Sequence, residues 1–211
     1  MALNDLHDFL ARATGCEDLG KIAAKLGLVT QPEDLSLRII EDWHRGGAET
    51  FIMVFTVEGP SLSKKLLLKA CTPFSPAVPI EDVLAKWLRR RKFLEASGCL
   101  APHLYGTLEG TLIEEYIPDA LSDFELGRWN EGLTRDLMHY AQVLAANGFC
   151  ALSPFSDLRT DGWRVYVVDF GEDLGDPMQQ SSIIDYSQIA VNWLAHKGIQ
   201  GSTPIGYTGK E

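Results

Sequence analysis

Few side chains in this sequence stand where chemistry could be done. No GxSxG elbow and no HExxH pair occurs, so neither a serine hydrolase nor a zinc peptidase is read. The four cysteines (16, 71, 99 and 150) form no CxxC pair and the five histidines are scattered. Reduced, buried thiols are the expectation, not a metal site. An acid, a lysine and a glycine pair stand out only for what their residue types allow. Asp169 closes the apolar run RVYVVDF and is followed by Gly171 after Phe170; a carboxylate at a strand end is a hard oxygen donor. Lys69 carries a point charge near the end of LLLKAC. Gly46 and Gly47 separate two apolar runs, and the missing Cβ there lets backbone come close to a ligand. Each has a plainer reading: a strand end and turn, a solvated strand lysine, and an ordinary turn.

The elements that must position these residues follow from periodicity. Residues 3–12 and 18–26 carry apolar side chains at helical spacing and predict two short helices. LSLRII (35–40), TFIMVFTV (50–57) and LLLKAC (66–71) predict an antiparallel meander punctuated by Gly-Gly and Gly-Pro. Pro79 is expected as the first residue of a helix with the stripe Ile80, Val83, Leu84, Trp87, Leu88 and Leu94, ended by Gly98. Lys86, Arg89, Arg90 and Lys92 are assigned to a solvated face of that helix, because the chain as a whole is acidic. Strands are predicted at 103–108 and 111–117 (TLIEEYI) with a Glu-Gly turn between them, and a helix over 133–147 stopped by Gly148. An Asp161-Gly162 hairpin turn leads to a strand at 164–170. A last helix is predicted over 183–198, with a loose tail after it.

Strands, one helix, two strands and then a mainly helical half make an α+β plan. The 211 residues, 45% of them hydrophobic, are enough for a core in one large domain or two intimate lobes. The formal net charge of −10 disfavours nucleic acid and anionic membrane surfaces as partners. The first residues, MALNDLHDFLARA, carry acids and no long apolar run, so no secretory signal is read, and no stretch reaches transmembrane length. A cytoplasmic location is the expectation, with export by a signal-less route left open.

The segment GWRVYVVDFGEDLGDP, coming after GFCALSPFSDLRTDG, resembles the metal-binding end of the protein-kinase-like superfamily, in the style of aminoglycoside phosphotransferases and small atypical kinases. The resemblance covers residues 35 to 195 and rests on the order of the pieces. Asp169-Phe170-Gly171 resembles the family's metal-binding triplet. Gly46-Gly47 resembles the loop that covers the phosphates, and Lys69 the nucleotide lysine. TLIEEYI resembles the hinge whose backbone holds adenine, here through Glu115 and Tyr116. Asp185 resembles an aspartate that opens a buried helix and braces the catalytic loop. The resemblance implies a two-lobe fold: an N-terminal helical extension (1–34), an N-lobe with an antiparallel sheet and the hinge (35–117), and a short helical C-lobe (118–211). It also implies ATP and Mg²⁺ as ligands. Phosphoryl groups carry several negative charges, which a cation, a lysine and backbone amides would hold.

The chain departs from the family at the catalytic loop. Asp157, twelve residues before Asp169, stands where the second metal ligand is usually Asn. Five residues earlier lies Leu152, which cannot accept a proton, and Cys150-Ala151 replaces the preceding His-Gly. Ser153, one residue on, is no ordinary base either. No acid lies near Trp87 to Arg91 to pair with Lys69; Glu81 and Glu95 flank that region. The expectation is a pseudokinase that acts through a protein partner. The alternative is a divergent ATP- and Mg²⁺-dependent phosphotransferase acting on a protein or small-molecule hydroxyl, with Asp157 doubling as metal ligand and hydroxyl orienter.

Overall fold

The structure is a computed structural model that describes residues 3–43, 50–71, 78–108, 110–151, 154–155, 158–171, 174–175 and 185–199. It is mixed α+β: among the described residues it has five α-helices and a five-stranded antiparallel sheet, with two smaller sheets. No described helix is long and apolar enough to cross a membrane. The chain divides into two compact units, Met1–Trp87 with Pro102–Tyr116, and Leu88–Ala101 with Ile117–Glu211.

The first unit opens with α1 (Leu3–Thr14) and α2 (Leu19–Lys25). Asp18 caps α2 by accepting the Lys21 amide at 3.1 Å, which satisfies one of the donors a helix start leaves over. The large sheet follows: β1 (Ser36–Trp43), β2 (Thr50–Glu58), β3 (Ser63–Cys71), β4 (Leu104–Leu108) and β5 (Thr111–Glu115), in spatial order β1-β2-β3-β5-β4. One helix, α3 (Ile80–Ala96), intervenes in sequence between β3 and β4. Gly110 turns β4 into β5 with a φ of 79°, in the left-handed region where a side chain is strained.

Alternation along the strands gives the sheet two faces. Met53, Phe55 and Val57 of β2, Leu66 and Leu68 of β3, and Ile113 of β5 share one core with Leu6, Phe9 and Leu10 of α1 and Ile22 and Leu26 of α2. The i, i+3, i+4 spacing of Leu6, Phe9 and Leu10 is what gives α1 a stripe to bury there. The two N-terminal helices therefore share the sheet's own core. The register pairs Lys69 with Leu112 and Leu67 with Glu114, so these four residues lie on the opposite face.

The second unit is built on α4 (Glu131–Ala146) and α5 (Tyr186–His196), which pack together. Leu133, Leu137, Tyr140, Ala141 and Leu144 are buried on α4, and Tyr186, Ala190 and Leu194 on α5. Asn130 caps α4 by accepting the Leu133 amide at 3.2 Å, and its own amide donates to the Gly162 carbonyl at 2.9 Å. That second bond ties the helix start to a hairpin of β8 (Leu158–Thr160) and β9 (Val165–Val167), which β6 (Asp119–Ala120) extends. The hairpin turn at Asp161-Gly162 forms as expected. The strand after it is shorter than the apolar run implies, because the chain leaves the ladder after Val167. A second small sheet pairs β7 (Cys150–Ala151) with β10 (Leu174–Gly175).

Candidate functional site

Lys69 is the first of the expected residues in the described structure. It sits in the middle of the sheet and is only 5% exposed. Its ammonium lies 5.0 Å from the centroid of the Trp87 ring, within range for a cation–π attraction. The solvated-lysine alternative is thereby set aside. Glu114, fully buried, occupies the same face two residues along β5 from Lys69's direct neighbour. Diagonal neighbours of this kind sit about 7–8 Å apart and are within reach for long side chains. A buried carboxylate is thus present on the lysine's face, though it comes from a strand and not from the helix where the sequence lacked one.

Glu115 and Tyr116 end the same strand region. The Glu115 amide donates to the His103 carbonyl at 2.8 Å, and the Tyr116 amide to the Lys65 carbonyl at 3.4 Å. The Glu115 carboxylate accepts from Lys64 at 3.0 Å, and this bond raises the Lys64 pKa against the opposing effect of partial burial. The Lys65 ammonium lies 4.7 Å from the Tyr116 ring centroid. Both amides are engaged within the chain.

In the second unit Asp169 follows β9 and is half-buried. Its Oδ1 accepts the Gly171 amide at 2.8 Å, an Asx turn that pins the carboxylate over its own backbone. Phe170 is 1% exposed. Upstream, the Asp136 carboxylate of α4 accepts from Arg164 Nε at 2.7 Å and from the Val165 amide at 3.2 Å, which holds the start of β9. Downstream, β10 pairs back onto Ala151 and Cys150. The strand that enters the expected catalytic loop is thus tied to the segment that leaves the Asp169 turn.

Asp185 is exposed and caps α5 by accepting the Gln188 amide at 3.0 Å. Among the described residues, the brace from this helix to the expected catalytic loop is its neighbour. The Tyr186 hydroxyl accepts the Ala151 amide at 2.7 Å, and burial raises that phenol's pKa. Phe155 is buried, with its ring 6.2 Å from that of Trp193.

The basic run on α3 is solvated only in part: Arg89 and Lys92 are exposed, as expected, but the two residues between them are not. Arg90 and Arg91 are each 4% exposed, so they are no part of a solvated face. Arg90 donates to the backbone carbonyls of Phe170 and Gly171, and Arg91 lies 5.6 Å from the Phe170 ring centroid. Helix periodicity marks which side a residue lies on, but not that a turn of backbone will meet it there with its carbonyls.

The structure brings Lys69, Glu115 and Tyr116 into the first unit, and Asp169 into the second. Gly46, Gly47 and Asp157 lie outside the described residues, as do Leu152 and Ser153. Among the described residues, no group of three or more His, Cys, Asp or Glu side chains is gathered for a metal. No protein-family model matches the chain, and no curated protein matches it.

Proposed function

We propose that the chain is a kinase-like nucleotide-binding protein of the pseudokinase kind, with two lobes, which acts through a protein partner. The observation that carries the reading is Lys69. Lys69 is an ammonium kept at 5% exposure on the central strand of the sheet, with the Trp87 ring and the buried Glu114 on its face to offset the desolvation penalty. On this reading Lys69, whose ammonium lies 5.0 Å from the Trp87 ring centroid, takes the inner phosphates of ATP. Asp169 takes Mg²⁺, with Asp157 as the second ligand. The Asp169 carboxylate is a hard oxygen donor, held in place by the Gly171 amide. Gly46 and Gly47 cover the phosphates, and the carbonyls of Glu115 and Tyr116 face adenine. When bound, Mg²⁺ supplies the charge that neutralises the phosphates.

The same reading accounts for binding without transfer. From Gly148 to Ser156 the chain offers no carboxylate and no imidazole to orient an attacking hydroxyl. A divergent phosphotransferase is the second reading, favoured by Asp157 alone.

Thermal unfolding with Mg-ATP, with ATP plus EDTA and without ligand tests the proposal, alongside transfer of the γ-phosphoryl group. A ligand at 100 times its dissociation constant stabilises the native state by about 2.7 kcal/mol. A rise of several degrees that Asp169→Ala removes, without phosphoryl transfer, is the expected result. Transfer that Asp169→Ala abolishes selects the enzyme instead. No stabilisation at millimolar nucleotide rejects both.

A further inference from the structure

Arg90 and Arg91 have no assigned part in nucleotide binding, yet among the described residues they are the most deeply buried cations. A guanidinium at 4% exposure needs partners to offset its desolvation. Arg90 Nη1 donates to the Phe170 carbonyl at 3.1 Å and also to the carbonyl of Gly171. Arg91 places its guanidinium 5.6 Å from the Phe170 ring centroid and donates Nε to Glu95 at 3.0 Å. Two consecutive helical side chains therefore grip the two residues that follow Asp169.

The Phe170 carbonyl and the Gly171 amide are the two ends of one peptide unit. In a planar trans peptide these groups point in opposite directions. Arg90 holds the oxygen end, and the Asp169 carboxylate accepts from the N–H end at 2.8 Å. Turning that plane breaks both bonds at once. A cation at the carbonyl also polarises the peptide, which strengthens the N–H as a donor to the carboxylate.

We infer that Arg90 is a positioning residue for Asp169, fixing the direction of its carboxylate through the Phe170–Gly171 peptide. The inference rests on reading Asp169 as a ligand to Mg²⁺ in a nucleotide complex. It gives the basic run of α3 a task that charge alone does not. A lysine at position 90 would keep the charge but set it on a flexible stem, without the fixed guanidinium plane that holds Nη1 at both carbonyls.

The test is calorimetric titration of wild type, Arg90→Lys and Arg90→Met with ATP, each with Mg²⁺ and with EDTA. Changes behind a metal ligand typically weaken metal affinity about 10- to 100-fold. Arg90→Met is accordingly expected to remove about tenfold or more of the Mg²⁺-dependent gain, while ATP binding in EDTA stays as in wild type. Arg90→Lys is expected to fall between the two. A full Mg²⁺-dependent gain in Arg90→Met overturns the inference and leaves nucleotide binding standing. Equal loss with and without Mg²⁺ also overturns it, since that marks a general packing defect. Amide hydrogen exchange at Gly171 in Arg90→Lys reads the same coupling without nucleotide. Faster exchange there shows that Arg90 holds the Asp169 turn whether or not wild type binds ATP, and unchanged protection overturns the inference even if Arg90→Met does not fold.

Discussion

Lys69 and Glu114 are two buried, oppositely charged groups on one face of the sheet, on neighbouring strands and two residues out of direct register. Their burial makes them interdependent, because removing one charge leaves the other in a low-dielectric setting. A double-mutant cycle of Lys69→Met and Glu114→Gln, measured by urea unfolding, is expected to give a coupling of about 1–3 kcal/mol. The double variant should lose less stability than the sum of the two single losses. Additivity within about 0.5 kcal/mol would show that the two charges are balanced by other groups.

Tyr186→Phe keeps the ring in its buried site and removes only the oxygen that accepts the Ala151 amide. The donor is left without that acceptor, so a loss of about 1–2 kcal/mol is expected in denaturant unfolding. Amide exchange at Ala151 should quicken in the same variant. A variant as stable as wild type, with Ala151 equally protected, would show that the helix does not brace the loop through this bond.

Cys99 is 7% exposed, and burial, with a smaller contribution from the Asp136 charge, pushes its thiol from 9.0 up to about 12. The fold favours the neutral thiol. Its stabilising effect is therefore whole below pH 9, where the unfolded thiol is also protonated, and is lost as the pH climbs towards 12. Stability is expected to fall across that window by about 1 kcal/mol per pH unit. In Cys99→Ala the decline should be distinctly shallower. Unfolding free energies that fall equally steeply in both proteins would assign the alkaline loss to other groups. Burial raises the Tyr186 phenol in the same direction, so its effect also appears only at high pH.

The elements that bury a periodic stripe were legible in the sequence. Leu6, Phe9 and Leu10 mark α1, the β-branched and aromatic runs mark β1 to β3, and Leu133 to Leu144 mark α4. Backbone groups that meet side chains far away in sequence were not legible. The periodicity of α3 places Arg90 on its polar side, and nothing in the pattern says that two carbonyls eighty residues on will close over it. The run RVYVVDF reads as one strand because its composition is uniform, but Asp169 bends its own backbone into a turn and the ladder stops at Val167. Asp185 carries the signature of a helix start, and it is one. The longer reach belongs to the tyrosine beside it, whose hydroxyl has no signature of its own. Glu114 was hidden in a hydrophobic strand, whereas the family resemblance places the lysine's partner on a helix.

The most direct measurement is a calorimetric titration of the intact chain with Mg-ATP, repeated on Lys69→Met. Saturable one-to-one binding in wild type, lost in the variant while circular dichroism shows the same fold, is the predicted result. No heat of binding at millimolar Mg-ATP, or undiminished binding in Lys69→Met, would contradict the claim that this buried lysine serves a nucleotide.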